Sequence, residues 1–185
     1  MTRYFLPRIN FLFVILFGLA CLVLQSTAFA IFFRSIRPDL ILVIVVFLGL
    51  HRYALEGGLL AVLLGYLVEI HSGAPTGLMM TVYVWIFVVA KLIGLGVFLD
   101  RVWAILLLVA GMSILEMFLI WLLSSVMLSA TLAFWPMAQQ WVLSMVLQLF
   151  AAPLIFRFFS WLDDVCQKER PTKITGVLGV PEFSS

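Results

Sequence analysis

Long apolar runs alternate with short polar breaks along this chain. A helix that crosses a hydrocarbon core of roughly 30 Å needs about 20 apolar residues. The pattern therefore predicts an all-α fold, a polytopic membrane protein whose transmembrane domain covers residues 1–162. The predicted spans are 11–33, 39–51, 57–70, 77–99, 102–128 and 139–162.

The second and third predicted spans are short. The apolar part of the third, 59–70, reaches only about 18 Å at 1.5 Å per residue. Either the polar ends extend these helices toward the interfaces, or the pair forms a re-entrant hairpin buried in protein. Strands are disfavoured because an open strand in lipid leaves backbone groups without hydrogen bonds. We favour two short helices packed against the longer ones.

Composition agrees with a membrane fold rather than a soluble one. Hydrophobic residues make up 65% of the chain and charged residues 11%, and the mean hydropathy is +1.22. A soluble domain carries about 25% charged residues, so this chain has too few to cover a globule with polar surface. The net charge is only +2, and no basic block is long enough to indicate nucleic-acid binding.

Basic residues are distributed unevenly between the two sides of the predicted bundle. If the N-terminus is inside, the outer side holds only Arg34 and Arg37, while Lys91 falls within a span. The positive-inside rule then predicts that both termini are cytoplasmic. The first apolar run is too long for the core of a signal peptide and lacks a small-residue cleavage site, so we expect a retained signal anchor. We expect the polar tail, 163–185, to be mostly disordered. The predicted inner residues are Arg3, Arg8, Arg52, Arg101, Arg157, Lys168, Arg170 and Lys173.

Three ionisable residues of the predicted spans stand out, because a charge costs about 2.5–3.5 kcal/mol at a helix centre. Lys91 and Glu116 lie on neighbouring spans, with an axial offset of about 10 Å. A Lys91–Glu116 pair and a Lys91 side chain that extends to the inner interface both remain open. Glu69 lies at the outer end of the third span, where it either contacts water or meets Arg34 or Arg37.

The sequence offers little catalytic or metal-binding chemistry. His51 and His71 fall on opposite sides of the predicted membrane, and Cys21 and Cys166 lack the spacing of metal ligands. Ser113 lies shortly after a glycine, but a nucleophile needs a base within hydrogen-bond reach. No glycine-rich phosphate loop with its lysine is present. We therefore expect a non-catalytic protein that holds no cofactor.

Residues 37–77 carry a more specific pattern. An Arg-Pro-Asp triplet opens the second span, and a glycine in the third span is followed four positions later by an acidic residue. A Ser-Gly turn and a further glycine close the segment. The residues of this pattern are Arg37, Pro38, Asp39, Gly65, Glu69, Ser72, Gly73 and Gly77.

This pattern resembles the bacterial rod shape-determining protein MreD family, which usually has aspartate at the position of Glu69. The resemblance implies an inner-membrane protein similar in fold to the substrate-binding subunits of energy-coupling-factor vitamin transporters. It also implies binding to MreC, in an assembly with MreB, RodZ, RodA and a penicillin-binding transpeptidase that directs lateral peptidoglycan synthesis. The expected contact surface is the second and third spans with the turn at 72–77.

Two other functions are compatible with the same sequence. A substrate-binding subunit of a vitamin transporter shares the implied fold, although a polar ligand needs several convergent donors and acceptors and the predicted spans contain few. A plain membrane anchor or chaperone accounts equally well for the scarcity of catalytic residues. The set of proteins that bind this chain distinguishes all three.

Overall fold

Six α-helices make up the computed structural model of the chain, which describes residues 6–32, 39–73, 75–96, 102–128 and 134–165. These residues contain no strand, and the protein is an all-α polytopic membrane protein. The tail from 166 onward lies outside the described residues. The helices are α1 (Leu6–Phe32), α2 (Leu40–His51), α3 (Ala54–Ser72), α4 (Leu78–Gly96), α5 (Val102–Leu128) and α6 (Phe134–Val165).

Four of these helices are long and apolar enough to cross a membrane. They contribute the spans Ala54–Ser72, Leu78–Leu95, Val102–Val126 and Trp141–Leu162. Large apolar side chains on their outer faces are exposed, including Leu55, Trp103, Leu107 and Phe150. A soluble protein rarely exposes apolar surface on every side, so these faces contact lipid.

The third helix is longer than its apolar run predicts. The predicted span begins at Gly57, whereas α3 begins three residues earlier, at Ala54, continues through Gly57 and Gly58, and has 19 residues, which reach about 28 Å. A Cβ atom built on Gly57 would lie 2.6 Å from the Phe87 ring. Gly57 therefore lets α3 approach α4 without ending the helix. This corrects the prediction of a short third span.

The sixth helix also starts earlier than predicted. The sequence places a loop around 129–138, whereas α6 begins at Phe134 and includes Pro136 in its first turn. A proline fits there because the first N–H groups of a helix have no acceptor within the helix. The helix also continues through Pro153.

Helix α2 is the centre of the bundle. It contacts all five other helices, and every residue from Leu40 to Gly49 is buried. A helix that is apolar on all sides requires protein or lipid on all sides. Helix α2 has 12 residues and is only about 18 Å long. It is therefore shorter than the hydrocarbon core of a bilayer, which is roughly 30 Å thick.

Two glycines bring α4 into close contact with its neighbours. A Cβ on Gly49 would lie 2.7 Å from the Ala90 Cβ and 3.1 Å from the Phe87 carbonyl oxygen. On α3, a Cβ on Gly65 would lie 2.8 Å from the Met80 Cα. Small residues allow such backbone approach between membrane helices. In the bundle, α4 runs parallel to α2 and antiparallel to α3.

Aromatic side chains join α6 to both α2 and α1. The Phe47 ring of α2 stacks on Phe159 with centroids 5.2 Å apart and meets Phe156 edge to face at 5.3 Å. Phe17 of α1 stacks on Phe158 at 4.7 Å. Such ring pairs add to the free energy gained from burial alone.

Candidate functional site at the two ends of the central helix

The N-terminal end of α2 is capped by Asp39. Its Oδ1 accepts hydrogen bonds from the backbone N–H groups of Ile41, at 3.0 Å, and Leu42, at 3.2 Å. A helix start leaves N–H groups without partners, and an aspartate at the cap position satisfies them. The negative charge also lies at the positive end of the helix dipole.

Two side chains from other helices complete this end of α2. The hydroxyl of Tyr83, on α4, donates a hydrogen bond to Oδ2 of Asp39. Glu116, on α5, is only 1% exposed and interacts electrostatically with Asp39 and Tyr83. We call Asp39, Tyr83 and Glu116 the Asp39 cluster, and it ties α2, α4 and α5 together.

The Asp39 cluster lies within the depth of the spans. Tyr83 is about 7.5 Å along the axis of α4 from its first residue, Leu78, and Glu116 is near the middle of the span Val102–Val126. Ionisable groups at such depth are costly and mark functional sites by default. The cluster is therefore the leading candidate site of the described residues.

A second buried carboxylate closes the connection between α3 and α4. Oε1 of Glu69 accepts a hydrogen bond from the backbone N–H of Gly77 at 2.6 Å, and the side chain is 5% exposed. Its Oε2 is buried without a hydrogen-bond partner among the described residues. Glu69 thus holds the start of α4 against the end of α3.

Backbone geometry in this turn requires glycine at two positions. Gly73 has φ +66° and Gly77 has φ +92°, values that side-chain-bearing residues rarely adopt. The N–H of Gly73 donates to the Glu69 carbonyl oxygen at 3.1 Å and ends α3, as glycine commonly does at helix C-termini. The hydroxyl of Ser72 lies 3.4 Å from the same oxygen.

The C-terminal end of α2 carries cations instead. The half-buried Lys91, on α4, donates from Nζ to the carbonyl oxygen of Arg52, which is the C-cap residue of α2. Arg52 is 1% exposed, and its Nη1 lies 3.7 Å from Oε1 of Glu56. Positive charge at this end complements the negative end of the helix dipole. We call Arg52, Glu56 and Lys91 the Arg52 cluster.

The structure separates the two intramembrane charges that the sequence placed on neighbouring helices. Lys91 belongs to the Arg52 cluster and Glu116 to the Asp39 cluster, at opposite ends of α2 and about 18 Å apart. The partners of Glu69 proposed from the sequence, Arg34 and Arg37, lie outside the described residues, as does Pro38.

The remaining residues of the 37–77 pattern lie toward the end of the bundle where α2 begins, α3 ends and α4 begins. Sequence reasoning missed Tyr83, although a hydroxyl in the middle of an apolar run needs a buried partner and was a usable signal. The residues brought to this end are Asp39, Gly65, Glu69, Ser72, Gly73 and Gly77.

A polar contact also joins α5 and α6. The hydroxyl of Ser113 lies 2.6 Å from Oε1 of Gln148 and 3.0 Å from the carbonyl oxygen of Val109. Hydrogen bonds between membrane helices stabilise their association. Ser113 therefore has a structural role in joining α5 to α6. Within the described residues, no group of three or more His, Cys, Asp or Glu side chains is placed to hold a metal ion.

Comparison with protein-family profiles, curated proteins and solved structures finds no significant match to this chain. The function must therefore be argued from the residues themselves. The buried polar clusters and the glycine contacts fix the relative positions of α2, α3, α4 and α5. The buried polar side chains of this bundle therefore hold its helices in place.

Proposed function

We propose that this chain is a non-catalytic subunit of the bacterial inner membrane that binds MreC in the cell-elongation assembly. MreB, RodZ, RodA and a penicillin-binding transpeptidase belong to the same assembly, and the chain helps to organise lateral peptidoglycan synthesis. Both termini face the cytoplasm, in keeping with the distribution of basic residues. The proposal starts from the resemblance of residues 37–77 to the MreD family.

One observation carries the proposal: the described residues of the pattern from Gly65 to Gly77 form one structural unit. Gly65 allows the close crossing of α3 and α4, and Glu69 receives the N–H of Gly77. Gly73 and Gly77 have backbone angles that favour glycine. The pattern therefore reflects a specific turn geometry, which supports a family resemblance over a chance similarity of apolar sequence.

The contact surface expected from the sequence, which includes the second and third spans and the turn at 72–77, must be reduced to the part that a partner can reach. Helix α2 is buried by the other five helices, so a partner cannot reach it while the bundle is intact. Helix α3 has an exposed face that ends at the 72–77 turn. We call this face the α3 stripe, and its large apolar residues are Leu55, Leu59, Tyr66 and Ile70.

The residues of the α3 stripe lie within about 60° of one another around the helix at 3.6 residues per turn. A single transmembrane helix of a partner can pack along such a narrow face. We propose that the transmembrane helix of MreC contacts the α3 stripe in this way.

Site-specific photo-crosslinking in the native membrane tests the contact surface. A photoreactive residue replaces Leu59 or Ile70 on α3, and matched control positions are Leu107 on α5 and Phe150 on α6, which are at least as exposed. We expect adducts with MreC from α3 and none from the controls. Adducts of equal yield at all four positions, or none at α3, would argue against this surface.

Mild-detergent isolation of the tagged chain, followed by mass spectrometry, tests the assembly itself. Recovery of MreC together with RodA or the transpeptidase supports the proposal. Recovery of a paired ATPase module with its membrane coupling subunit would overturn it in favour of vitamin uptake.

A further inference from the structure

We propose that Arg157 and Trp161, on the outer face of α6, bind the phosphate group of an anionic phospholipid. The lipid belongs to the leaflet at the Arg52 end of the bundle. This inference goes beyond the proposed function and does not depend on which protein the chain binds. It rests on a cation that lies among lipid-facing apolar side chains and on the depth of that cation in the span.

A narrow stripe of exposed side chains runs along α6. Its members lie within about 80° of one another around the helix at 3.6 residues per turn. We call this set the α6 stripe, and it consists of Leu143, Val146, Phe150, Leu154, Arg157 and Trp161. All of them except Arg157 are hydrophobic. An extended apolar face of this kind contacts lipid, so Arg157 is a cation placed against acyl chains.

The position of Arg157 along α6 is inside the span and not at its edge. It lies five residues before Leu162, the last residue of the span Trp141–Leu162, which is about 7.5 Å along the axis. The ring of the preceding residue, Phe156, lies 6.1 Å from that of His51, so this part of α6 is at the Arg52 end of the bundle.

The helix does not direct the Arg157 side chain toward water. Side chains of an α-helix lean toward its N-terminus, which for Arg157 is away from the nearer membrane surface. A charge at such depth is costly unless an anion or water reaches it. A lipid phosphate that lies at the depth of Arg157 removes this cost.

The protein supplies no counter-ion for Arg157 among the described side chains, where no acid forms an ion pair with it. Helix α1, whose rings stack on α6, contains no acidic residue. Within α6 a partner would have to lie three or four residues away. The residues at those positions are Pro153, Leu154, Ser160 and Trp161.

The other described cations at this end are engaged inside the bundle. Arg52 is 1% exposed and lies beside Glu56, and Lys91 donates to the carbonyl oxygen of Arg52. Arg157, by contrast, is exposed. Of the described cations at the Arg52 end, it is therefore the one that a lipid headgroup can reach.

Trp161 provides a second donor about one turn closer to the end of the span. Its side chain is 59% exposed, and its ring lies 6.3 Å from that of Phe158. The Phe158 ring stacks on Phe17 of α1 at 4.7 Å, so neighbouring aromatic rings hold the indole in place. An indole N–H only donates hydrogen bonds, and tryptophan favours the depth of the headgroups.

The parts of the α6 stripe correspond to the parts of an anionic phospholipid. A guanidinium group binds phosphate through two parallel hydrogen bonds, which assigns the charge recognition to Arg157. The indole N–H of Trp161 adds one donor to the same headgroup. Leu154 and Phe150 continue the stripe toward the middle of the bilayer and offer an apolar surface to an acyl chain.

Photo-crosslinking in vesicles of equal parts phosphatidylglycerol and phosphatidylcholine tests the proposal on the full-length protein. A photoreactive residue replaces Leu154, about one turn from Arg157, and mass spectrometry measures the adducts with each lipid. We expect phosphatidylglycerol adducts to exceed phosphatidylcholine adducts. R157Q should lower this ratio about fivefold, the effect of one basic residue near an anionic surface.

Matched controls separate the site from general attraction by charge. With the photoreactive residue at Leu107 of α5, which is 75% exposed against 71% for Leu154, R157Q should leave the ratio unchanged. With the photoreactive residue at Leu154, K173Q removes one charge from the polar tail and should also leave it unchanged. R157K keeps the charge and should retain most of the preference, while W161F should lower the ratio less than R157Q.

Several outcomes would overturn the proposal. Equal yields of the two lipids at Leu154, or the same ratio in R157Q as in the wild-type protein, would mean that Arg157 reaches water without binding a headgroup. A fall in K173Q as large as that in R157Q would indicate general attraction by net charge. A preference lost equally in R157K and R157Q would contradict charge recognition. An unchanged ratio in W161F would overturn the role of Trp161.

Two further outcomes would assign the α6 stripe to another ligand. Inorganic phosphate, compared with chloride at equal ionic strength, should not change the lipid ratio, and loss of the preference would indicate a site for free phosphate. Adducts mainly with a second copy of the chain would indicate self-association. The contact of MreC with the α3 stripe is measured separately, so either proposal can fail without the other.

Discussion

The two ends of α2 satisfy the same requirement with opposite charges. The Asp39 carboxylate accepts hydrogen bonds from its first N–H groups, and the Lys91 ammonium group donates a hydrogen bond to the carbonyl oxygen of its C-cap residue. A short helix inside a bilayer has little water to complete its terminal hydrogen bonds. Side chains from neighbouring helices replace that water, and the sign of each follows the helix dipole.

The two ends also differ in how far their partners extend through the bundle. The Asp39 cluster joins α2 to both α4 and α5 and brings two acidic groups together. The Arg52 cluster joins α2 to α4 and to the first turn of α3, and it pairs unlike charges. Two acidic side chains therefore meet at the Asp39 end, whereas the Arg52 end places two basic side chains beside one acidic side chain.

The largest expected effect comes from forcing α4 away from its neighbours. A leucine at Gly49 or Gly65 would overlap α4, because even a Cβ atom there would lie only 2.7 Å from the Ala90 Cβ or 2.8 Å from the Met80 Cα. Overpacking of this kind costs about 1–3 kcal/mol and sometimes more. Unfolding in mixed detergent micelles should show a clear loss of stability for G49L and G65L.

Gly111 provides the matched control for these glycine substitutions. A Cβ there would meet no atom within 4 Å, and alanine favours a helix over glycine by up to about 1 kcal/mol. G111A should therefore be neutral or slightly stabilising. A loss of stability in G111A equal to that in G65L would mean that the effect reflects glycine content and not the contacts of α4.

Removal of the cap is expected to have the next largest effect. D39A leaves two backbone N–H groups and the Tyr83 hydroxyl without their acceptor, and loss of a helix cap costs about 0.5–2 kcal/mol. D39N keeps a side-chain oxygen at the cap and should be less harmful. The same unfolding measurement compares them, and equal losses in the two variants would indicate that charge, not capping, is the dominant contribution of Asp39.

At the Arg52 end, the expected loss is smaller. K91M keeps a long apolar stem but removes the donor to the Arg52 carbonyl oxygen, and an unsatisfied buried acceptor costs about 1–3 kcal/mol. Lys91 is only half-buried, so water can replace part of the bond and the loss should fall near the lower limit. A loss greater than that of D39A would reverse the comparison between the two ends.

The smallest effect is expected from Tyr83. Y83F deletes one of the donors to Asp39 and keeps the ring that packs in the core, and one hydrogen bond contributes about 0.5–1.5 kcal/mol. The unfolding measurement used for D39A checks this expectation, and a loss in Y83F larger than that in D39A would contradict the order of effects.

The fold was largely predictable because the apolar runs determine the number and type of elements. The apolar character of α2 on every side also agrees with its burial at the centre. The length of α3 was not predictable from composition, since Gly57 resembles a helix break until its contact with Phe87 is known. Glycine can end a helix at a loop or allow two helices to pack closely, and only the residue that it contacts distinguishes the two roles.

The candidate site was predictable only in part. Glu116 and Lys91 were identified because charge in an apolar run is costly, and Asp39 because it belongs to the 37–77 pattern. Their partners were not, because residue spacing gives the depth of a side chain but not the rotation of its helix or the identity of its neighbours. Lys91 and Glu116 lie on helices adjacent in sequence, yet each has its partner at a different end of α2.

The position of α2 determines the order in which the bundle can assemble. Asp39 is synthesised before its partners, since Tyr83 follows it by 44 residues and Glu116 comes later still. A segment of 12 residues is too short to be held in the bilayer by its own length. During synthesis, the contacts of Asp39 with α4 and α5 can therefore form only after those later helices have entered the membrane.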